Sequence, residues 1–390
     1  MKKIIKHIVG ISIVGIMVVI AGCGNENGVS GSEEDTVKIG SMFELTGAAA
    51  AYGTSMNNAV HMAAEEINAE GGINGKKIEI VEYDTKTDET EAASLTTRLG
   101  TRDNVSAIIG PATTGSMQAA IPSANSAEVP VMSPTATDDG VLTADDGSVH
   151  PFAWRTSFTN SFQGSSLAQF ANSHLDASNA VILSDNSSDY AIGLSKTFEE
   201  VFDGDIVGTE NFSEGETDFN AVLTNINELD FDVLYVPGYY EEAGPIIKQA
   251  REMGIDQPIL GPDGMGNEIL RELAGVENMN DVYYTSHFVV TSEDPNVQEF
   301  VTNYQEEFDI EADMFTGLAY DSVYVIKEAI ERVESTDPKD VNEALADTTD
   351  FEGITGTFSF DKMHDPIKTV NIIEIQDNEE AGVYEVDPSF

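Results

Sequence analysis

The sequence predicts an α/β protein built on mostly parallel sheets. From residue 37 onward, short apolar runs alternate with amphipathic helical patterns, as in chains that fold into strands joined by helices. The chain has 390 residues, a length that favours two domains of ordinary size over a single core. A hydrophobic content of 41%, which includes 8% aromatic residues, supplies enough apolar surface to fold both domains.

The predicted elements follow one another in a regular order. Residues 37–43 predict a strand, and residues 54–69 predict a helix because their apolar side chains recur at spacings of three and four. The pair Gly71-Gly72 then ends that helix. Further strands are predicted at 78–83, 105–109, 180–183, 233–236 and 259–260, and further helical patterns at 95–99, 297–308 and 323–333. This alternation is typical of a doubly wound sheet.

The charge and the sparse chemical motifs exclude several function classes. Asp and Glu number 69 against 19 Lys and Arg, so the formal charge of −50 argues against nucleic-acid partners and against adhesion to anionic lipid. One cysteine excludes a disulfide framework, and six scattered histidines show no metal-binding spacing. No nucleotide motif or serine-hydrolase elbow is present. Acids at 138–139 and 145–146 suggest calcium, but a solvated loop fits their spacing better. The sequence therefore predicts no enzyme, no cofactor and no metal.

The first segment predicts secretion. Three lysines precede an apolar stretch at residues 8–20, which is too short to span a bilayer comfortably. The tetrad IAGC that ends at Cys23 resembles the bacterial lipobox, which implies a signal peptide at residues 1–22 and acylation of Cys23. The alternative is a short signal anchor with an incidental cysteine. Residues 23–36 are polar and glycine-rich, and they predict an acidic, flexible tether.

Loops that follow strands are the place to search for a ligand site. In doubly wound sheets, ligands lie beyond the carboxyl ends of the strands, where helix N-termini and loop amides converge. The loops at 45–52, 111–116 and 133–139 are rich in hydroxyl, glycine and aromatic residues, and they carry no basic side chain. A phosphorylated ligand would therefore find only amides and hydroxyls there.

Several runs resemble the leucine/isoleucine/valine-binding branch of the ABC-transporter solute receptors. They are IGSMFELTGAAAAYG from Ile39, AEEINAEGGING from Ala64 and VMSPTAT from Val131, and the match extends from Val37 to about Ile375. The resemblance implies a type I periplasmic-binding fold, in which three crossovers join two α/β lobes. The implied crossovers lie near 156–159, 285–290 and 357–365, with an N-terminal lobe at 37–156 plus 288–360 and a C-terminal lobe at 157–287 plus 361–390.

The resemblance also implies a function. It predicts an extracytoplasmic, lipid-anchored, monomeric receptor that captures a small amino acid by lobe closure and delivers it to an ABC permease. A branched-chain amino acid is the first expectation. One alternative is a non-amino-acid solute, such as urea, an amide, or an aromatic or short carboxylic acid. Another is a sensory ligand-binding domain or an enzyme on the same scaffold.

An amino-acid zwitterion needs donors around its carboxylate and an acceptor or a fixed anion near its ammonium group. Matched to the family, Thr114 and Thr137 fall where hydroxyls and amides hold the ligand carboxylate. The carbonyl of Thr135 corresponds to an ammonium acceptor, and Asp263 corresponds to the acid that pairs with the ammonium. The family more often has Glu at that last position. As alternatives, the two threonine hydroxyls cap helices and Asp263 is an ordinary turn acid.

Four aromatic residues match positions that line the family's cleft from both lobes. They are Tyr52, Tyr190, Tyr239 and Phe315. The alternative is that an aromatic residue of an α/β protein packs in its core, and this alternative weighs most for Tyr52 and Phe315.

Overall fold

The computed structural model describes residues 36–386. The strands are β1 Thr36–Phe43, β2 Lys77–Asp84, β3 Ala107–Ile109, β4 Val131–Ser133, β5 Ala153–Arg155, β6 Asn179–Asp185, β7 Asp205–Phe212, β8 Val233–Tyr235, β9 Ile259–Gly261, β10 Val282–Ser286, β11 Phe351–Gly353, β12 Gly356–Phe360, β13 Pro366–Ile367, β14 Val370–Gln376 and β15 Glu379–Val386. The helices are α1 Ala50–Glu70, α2 Glu89–Arg98, α3 Thr114–Ala127, α4 Asn160–Ser173, α5 Asp189–Val201, α6 Asn220–Ile226, α7 Tyr240–Glu252, α8 Glu268–Ala274, α9 Pro295–Phe308, α10 Met314–Val333 and α11 Pro338–Leu345.

Two large sheets form the cores of two lobes. The first sheet has the order β2-β1-β3-β4-β5, and all of its strands are parallel. The second has the order β15-β14-β10-β9-β8-β6-β7, with only β14 and β15 antiparallel to their neighbours. A small antiparallel sheet holds β11, β12 and β13. The predicted α/β class is confirmed.

The chain passes between the lobes three times. Residues 156–159 lead from β5 of the first sheet to α4, which packs beside the second sheet. Residues 287–294 lead from β10 back to α9, and α9 and α10 pack against α1 of the first lobe. Residues 361–369 lead from β12 to β14 of the second sheet and include the short strand β13. The three crossovers contact one another, since the Phe158 ring stacks on His287 and Lys368 Nζ donates to the Thr156 carbonyl at 3.4 Å.

The first helix shows how the sequence pattern builds the core. The predicted apolar stripe is confirmed, since Met56, Val60 and Ile67 of α1 are all buried. The helix begins four residues earlier than predicted, at Ala50 rather than at residue 54. It ends at Gly71, whose φ of 118° lies in the left-handed region where glycine is favoured.

Two negative findings concern the described residues alone. Within residues 36–386, no helix combines the length and the apolar composition that a membrane span requires. In the same part of the chain, no group of three or more His, Cys, Asp or Glu residues is arranged to hold a metal ion. Two of the acids suggested for calcium accept hydrogen bonds in local turns, Asp138 from the Gly140 amide and Asp146 from the Ser148 amide.

Candidate ligand-binding site

Three loops of the first lobe meet beside the cleft because their strands are neighbours. Strands β1, β3 and β4 are adjacent and parallel, so the loops at their carboxyl ends converge. Side chains tie these loops together. Ser133 Oγ donates to the Pro111 carbonyl at 2.6 Å, and Thr135 Oγ1 donates to the Ala112 carbonyl at 2.7 Å. These two hydrogen bonds therefore join the loops after β3 and β4 to each other.

The two threonines predicted to hold a carboxylate do not cap helices. The cap of α3 is Thr113, whose Oγ1 accepts from the Ser116 amide at 3.4 Å, while Thr114 is the first helical residue. Thr137 lies in a loop, and its carbonyl accepts from the Asn160 amide at 2.7 Å. The capping alternative is therefore wrong for both residues. Their hydroxyls are buried without a hydrogen-bond partner in the protein, which is costly for a polar group.

Asp263 lies at the opposite wall, directly after β9. Its side chain is 3% exposed and makes two hydrogen bonds. Oδ1 accepts from the Tyr190 hydroxyl at 2.6 Å, and Oδ2 lies 3.0 Å from His287 Nε2. Neither bond serves its own turn, so the ordinary turn-acid alternative does not describe this side chain. Among the described residues, His287 is the only basic group within ion-pair distance of the carboxylate.

Both donors to Asp263 are uncharged at neutral pH. Burial lowers the pKa of His287 to about 4; the hydrogen bond and charge of Asp263 act in the opposite direction, and Lys368 adds a smaller lowering effect. Burial and the Asp263 charge raise the pKa of Tyr190 well above its usual value. The pair therefore orients the carboxylate without neutralising its charge. A buried anion with no counter-ion is costly, so a cationic group of a ligand would be stabilised beside it.

The four predicted aromatic residues come together between the lobes. Tyr190 and Tyr239 stack with their ring centroids 4.9 Å apart, and Tyr52 packs edge-on against Tyr239 at 5.9 Å and against Phe315 at 4.7 Å. Tyr52 comes from α1 of the first lobe, and its hydroxyl donates to the Gly264 carbonyl of the second lobe at 2.5 Å. These rings line the junction of the lobes rather than the core of one lobe.

A small cavity of about 20 Å³ lies at this junction. Its walls include six of the eight predicted residues, namely Tyr52, Thr135, Tyr190, Tyr239, Asp263 and Phe315, together with Ala112, Thr113 and Gly264. Thr114 and Thr137 do not line it. Such a volume has room for about one water molecule. The lobes are closed on each other, and a larger solute would require the walls to separate.

An acidic cavity of about 200 Å³ lies beside the first and shares Tyr52, Tyr190 and Tyr239 with it. Six acids and no Lys or Arg line this cavity: Glu89, Asp185, Asp189, Glu214, Glu241 and Glu242. Burial, together with the charges of Glu242 and Glu214, raises the pKa of Glu241 to about 7. This approach to the junction repels anions and attracts cations.

Sequence reasoning missed several residues that support the site. Glu44 follows β1 and is wholly buried, and its carboxylate accepts from the Ala112 amide at 2.9 Å and from Thr113 Oγ1 at 3.1 Å. Burial raises the pKa of Glu44. Gln163 Oε1 accepts from the Asp263 amide at 3.0 Å. An acid at the carboxyl end of a buried strand is a signal that could have identified Glu44, whereas Gln163 and His287 carry no local signal.

Comparisons with known proteins identify the family of the chain. A sequence model described as periplasmic binding protein matches residues 36–380. The leucine-, isoleucine-, valine-, threonine- and alanine-binding protein of Pseudomonas aeruginosa is 27% identical over 334 residues, covering 85% of this chain and 87% of the relative.

Solved structures give the same result. A branched-chain amino acid transporter substrate-binding protein from Streptococcus pneumoniae, solved with isoleucine, is 41% identical with a TM-score of 0.86, covering 90% of this chain and 99% of the other. A leucine-binding protein from Thermotoga maritima is 30% identical with a TM-score of 0.83 over the same shares. The chain therefore belongs to the periplasmic binding protein family, and this membership implies a location outside the cytoplasm.

Proposed function

We propose that the protein is the solute receptor of an ABC importer and that its solute is an amino acid, with branched aliphatic amino acids first. The lobes part to admit the solute and close around it, and the closed form is presented to the membrane permease. A solute that contacts both lobes only when they are closed stabilises that state by its difference in affinity. The similarity to receptors named for leucine, isoleucine and valine supports the choice of side chain.

The observation that carries this proposal is the buried Asp263 carboxylate, whose hydrogen-bond partners are a tyrosine hydroxyl and a histidine ring. The carboxylate has neutral donors on both oxygens and faces the lobe junction, where an ammonium group would complete an ion pair. The hydroxyls of Thr114 and Thr137, which are buried without a partner and lie outside the small cavity of the closed form, are the proposed donors for the carboxylate of the solute. Opposite charges at the two ends of one small molecule would satisfy both walls.

The same charges disfavour the rival solutes. An aromatic or short carboxylic acid carries no cation for Asp263, and no Lys or Arg lines either the small cavity or the acidic cavity. A simple carboxylate would therefore meet an unpaired anion inside a closed cleft. Urea or an amide would leave the same anion without a counter-ion.

Calorimetry and thermal unfolding with matched ligands test the proposal. Leucine, isoleucine and valine are compared with 4-methylpentanoate, which is leucine without its amino group. We expect an amino acid to raise the unfolding temperature, since a ligand at 100 times its Kd stabilises by about 2.7 kcal/mol. Asp263→Asn should weaken leucine binding by about 150-fold to 5,000-fold, because breaking a buried ion pair costs about 3–5 kcal/mol.

The exposed Asp230 provides the matched control, and Asp230→Asn should bind leucine as the wild type does. Unchanged leucine affinity in Asp263→Asn would contradict the zwitterion model. A wild-type protein that binds 4-methylpentanoate as tightly as leucine would favour the carboxylic-acid rival.

We propose further that the receptor is held at the membrane through Cys23, which lies outside the described residues. The support is the lipobox-like tetrad in the sequence. Two or more acyl chains would anchor the acidic protein without a basic patch. In a bacterial host, labelled palmitate should enter the wild-type protein and not the Cys23→Ser variant. Equal labelling of both would contradict the anchor.

A further inference from the structure

His287 lies in the second crossover, beside the Asp263 carboxylate. It follows β10 as the first residue of the second crossover, and it is 2% exposed. Its ring stacks on Phe158 of the first crossover, with ring centroids 3.4 Å apart and an interplanar angle of 21°. Its Nε2 lies 3.0 Å from Asp263 Oδ2. The ring therefore links the first and second crossovers, and its Nε2 faces the Asp263 carboxylate.

The hydrogen-bond chemistry assigns the tautomer. An ionised carboxylate only accepts hydrogen bonds, so the proton of a neutral imidazole lies on Nε2. Nδ1 is then left as an acceptor, and it is buried without a partner. A doubly protonated ring would instead be a cation 3.0 Å from the carboxylate, in competition with any cationic group of a ligand.

We propose that His287 is a positioning residue that orients the Asp263 carboxylate by donating one hydrogen bond to it, and that it thereby selects solutes carrying an ammonium group. This inference rests on the proposed function, because it concerns the same acid. Histidine suits the role since it donates one hydrogen bond while remaining neutral. A lysine or arginine at this place would cancel the charge that the ammonium requires.

Few other charged groups bear on the ring. Lys368 is buried nearby, with its Nζ donating to Thr355 Oγ1 at 2.8 Å; burial lowers its pKa, and the Asp321 charge acts in the opposite direction. Tyr190 occupies the far oxygen of Asp263. The first crossover contributes only the apolar ring of Phe158. Burial is the largest effect on the pKa of His287 and lowers it to about 4, against the raising effect of Asp263, while Lys368 lowers it further.

The experiment compares leucine with 4-methylpentanoate in three proteins. We expect His287→Gln, which keeps a neutral donor, to bind leucine within about threefold of the wild type at pH 7. We expect His287→Leu to bind leucine about 10-fold to 100-fold more weakly, as for a lost hydrogen bond to a charged group, with 4-methylpentanoate binding unchanged. A purely structural role of the ring would weaken both ligands equally, which would overturn the inference.

The pH profile gives a second readout. Wild-type leucine affinity should be constant from pH 8 to 6 and should fall towards pH 4 as His287 gains a proton and competes with the ammonium group. The His287→Gln profile should fall less over the same range, because glutamine does not titrate. Identical profiles of the two proteins would refute a charge-setting role, even if His287→Leu fails to fold.

Failure of the proposed function has a different signature. If no amino acid binds the wild-type protein at any pH, the proposed function fails before His287 is tested. If leucine binds the wild type and His287→Leu equally well, only the role of His287 fails. Unfolding is followed at each pH, since a folded pKa below the usual 6.5 means that stability falls as pH drops from 6.5 towards 4.

Discussion

Adjacent residues of the same type perform different tasks in this protein. Thr113 and Thr114 share a chemistry and differ by one position, yet Thr113 caps α3 and bonds Glu44, whereas the Thr114 hydroxyl has no partner in the protein. Partner geometry therefore decides which hydroxyl stabilises the free protein. The unpartnered hydroxyl is the one available to a ligand.

This contrast predicts that replacing threonine with valine affects the free energy of unfolding differently at the two positions. Thr113→Val removes a helix cap and should lower the free energy of unfolding by about 1 kcal/mol. Thr114→Val replaces an unpartnered buried hydroxyl with a methyl group of the same shape, so stability should be unchanged or higher. Leucine affinity should fall about 10-fold in Thr114→Val, by the loss of one hydrogen bond to a carboxylate.

Urea unfolding and calorimetry on both variants check this prediction. Thr137→Val should behave as Thr114→Val does, since its hydroxyl is also buried and unpartnered. A Thr114→Val protein that is less stable than the wild type and binds leucine normally would assign the residue to the structure rather than to the ligand.

The site residues differ in how far the sequence could predict them. The family resemblance indicated Asp263 because the motif around it is local. His287 is 24 residues away and reaches Asp263 only because β9 and β10 are parallel neighbours in the sheet. Glu44 gains its role from loops that lie far along the chain. A sequence read one segment at a time cannot place such partners.

At the scale of elements, the buried Arg155 joins the loop after β4 to the third crossover. Arg155 ends β5 and is fully buried, and its Nη1 donates to the carbonyls of Ala136 at 3.1 Å and Asp138 at 2.7 Å. These two residues flank Thr137 in the chain. Its Nε donates to Asp365 of the third crossover at 2.5 Å. A rigid fork of donors suits such a junction, because each nitrogen has a fixed direction.

The alternation of strands and helices was predictable where each element is long and periodic. The stripe of α1 and the apolar run of β1 both carried a local signal, and both are confirmed. The antiparallel hairpin of β14 and β15, which ends at the edge strand β15, was not predicted, although alternating exposure along a segment is the pattern of a half-exposed strand. Pairing between distant segments depends on tertiary packing that periodicity does not encode.

At the scale of the whole molecule, tyrosine hydroxyls connect the closed lobes. The Tyr52 hydroxyl donates to the Gly264 carbonyl at 2.5 Å and accepts from the Tyr240 amide at 3.2 Å. The Tyr240 hydroxyl donates to the Ala48 carbonyl at 3.1 Å. These bonds exist only while the lobes touch, so they contribute to the equilibrium between open and closed forms. Ligand affinity includes that equilibrium, because only the closed form contacts the solute from both sides.

Removing one of these hydroxyls should therefore weaken binding through closure alone. Tyr52→Phe deletes two interlobe hydrogen bonds, each contributing about 0.5–1.5 kcal/mol, so leucine affinity should fall about 5-fold to 100-fold. Tyr320→Phe is the matched control, since that hydroxyl bonds Glu66 within the first lobe. Small-angle scattering should show that Tyr52→Phe needs more leucine to reach the compact form, while Tyr320→Phe compacts as the wild type does. If both variants compact at the same leucine concentration, the hydroxyl of Tyr52 has no part in closure.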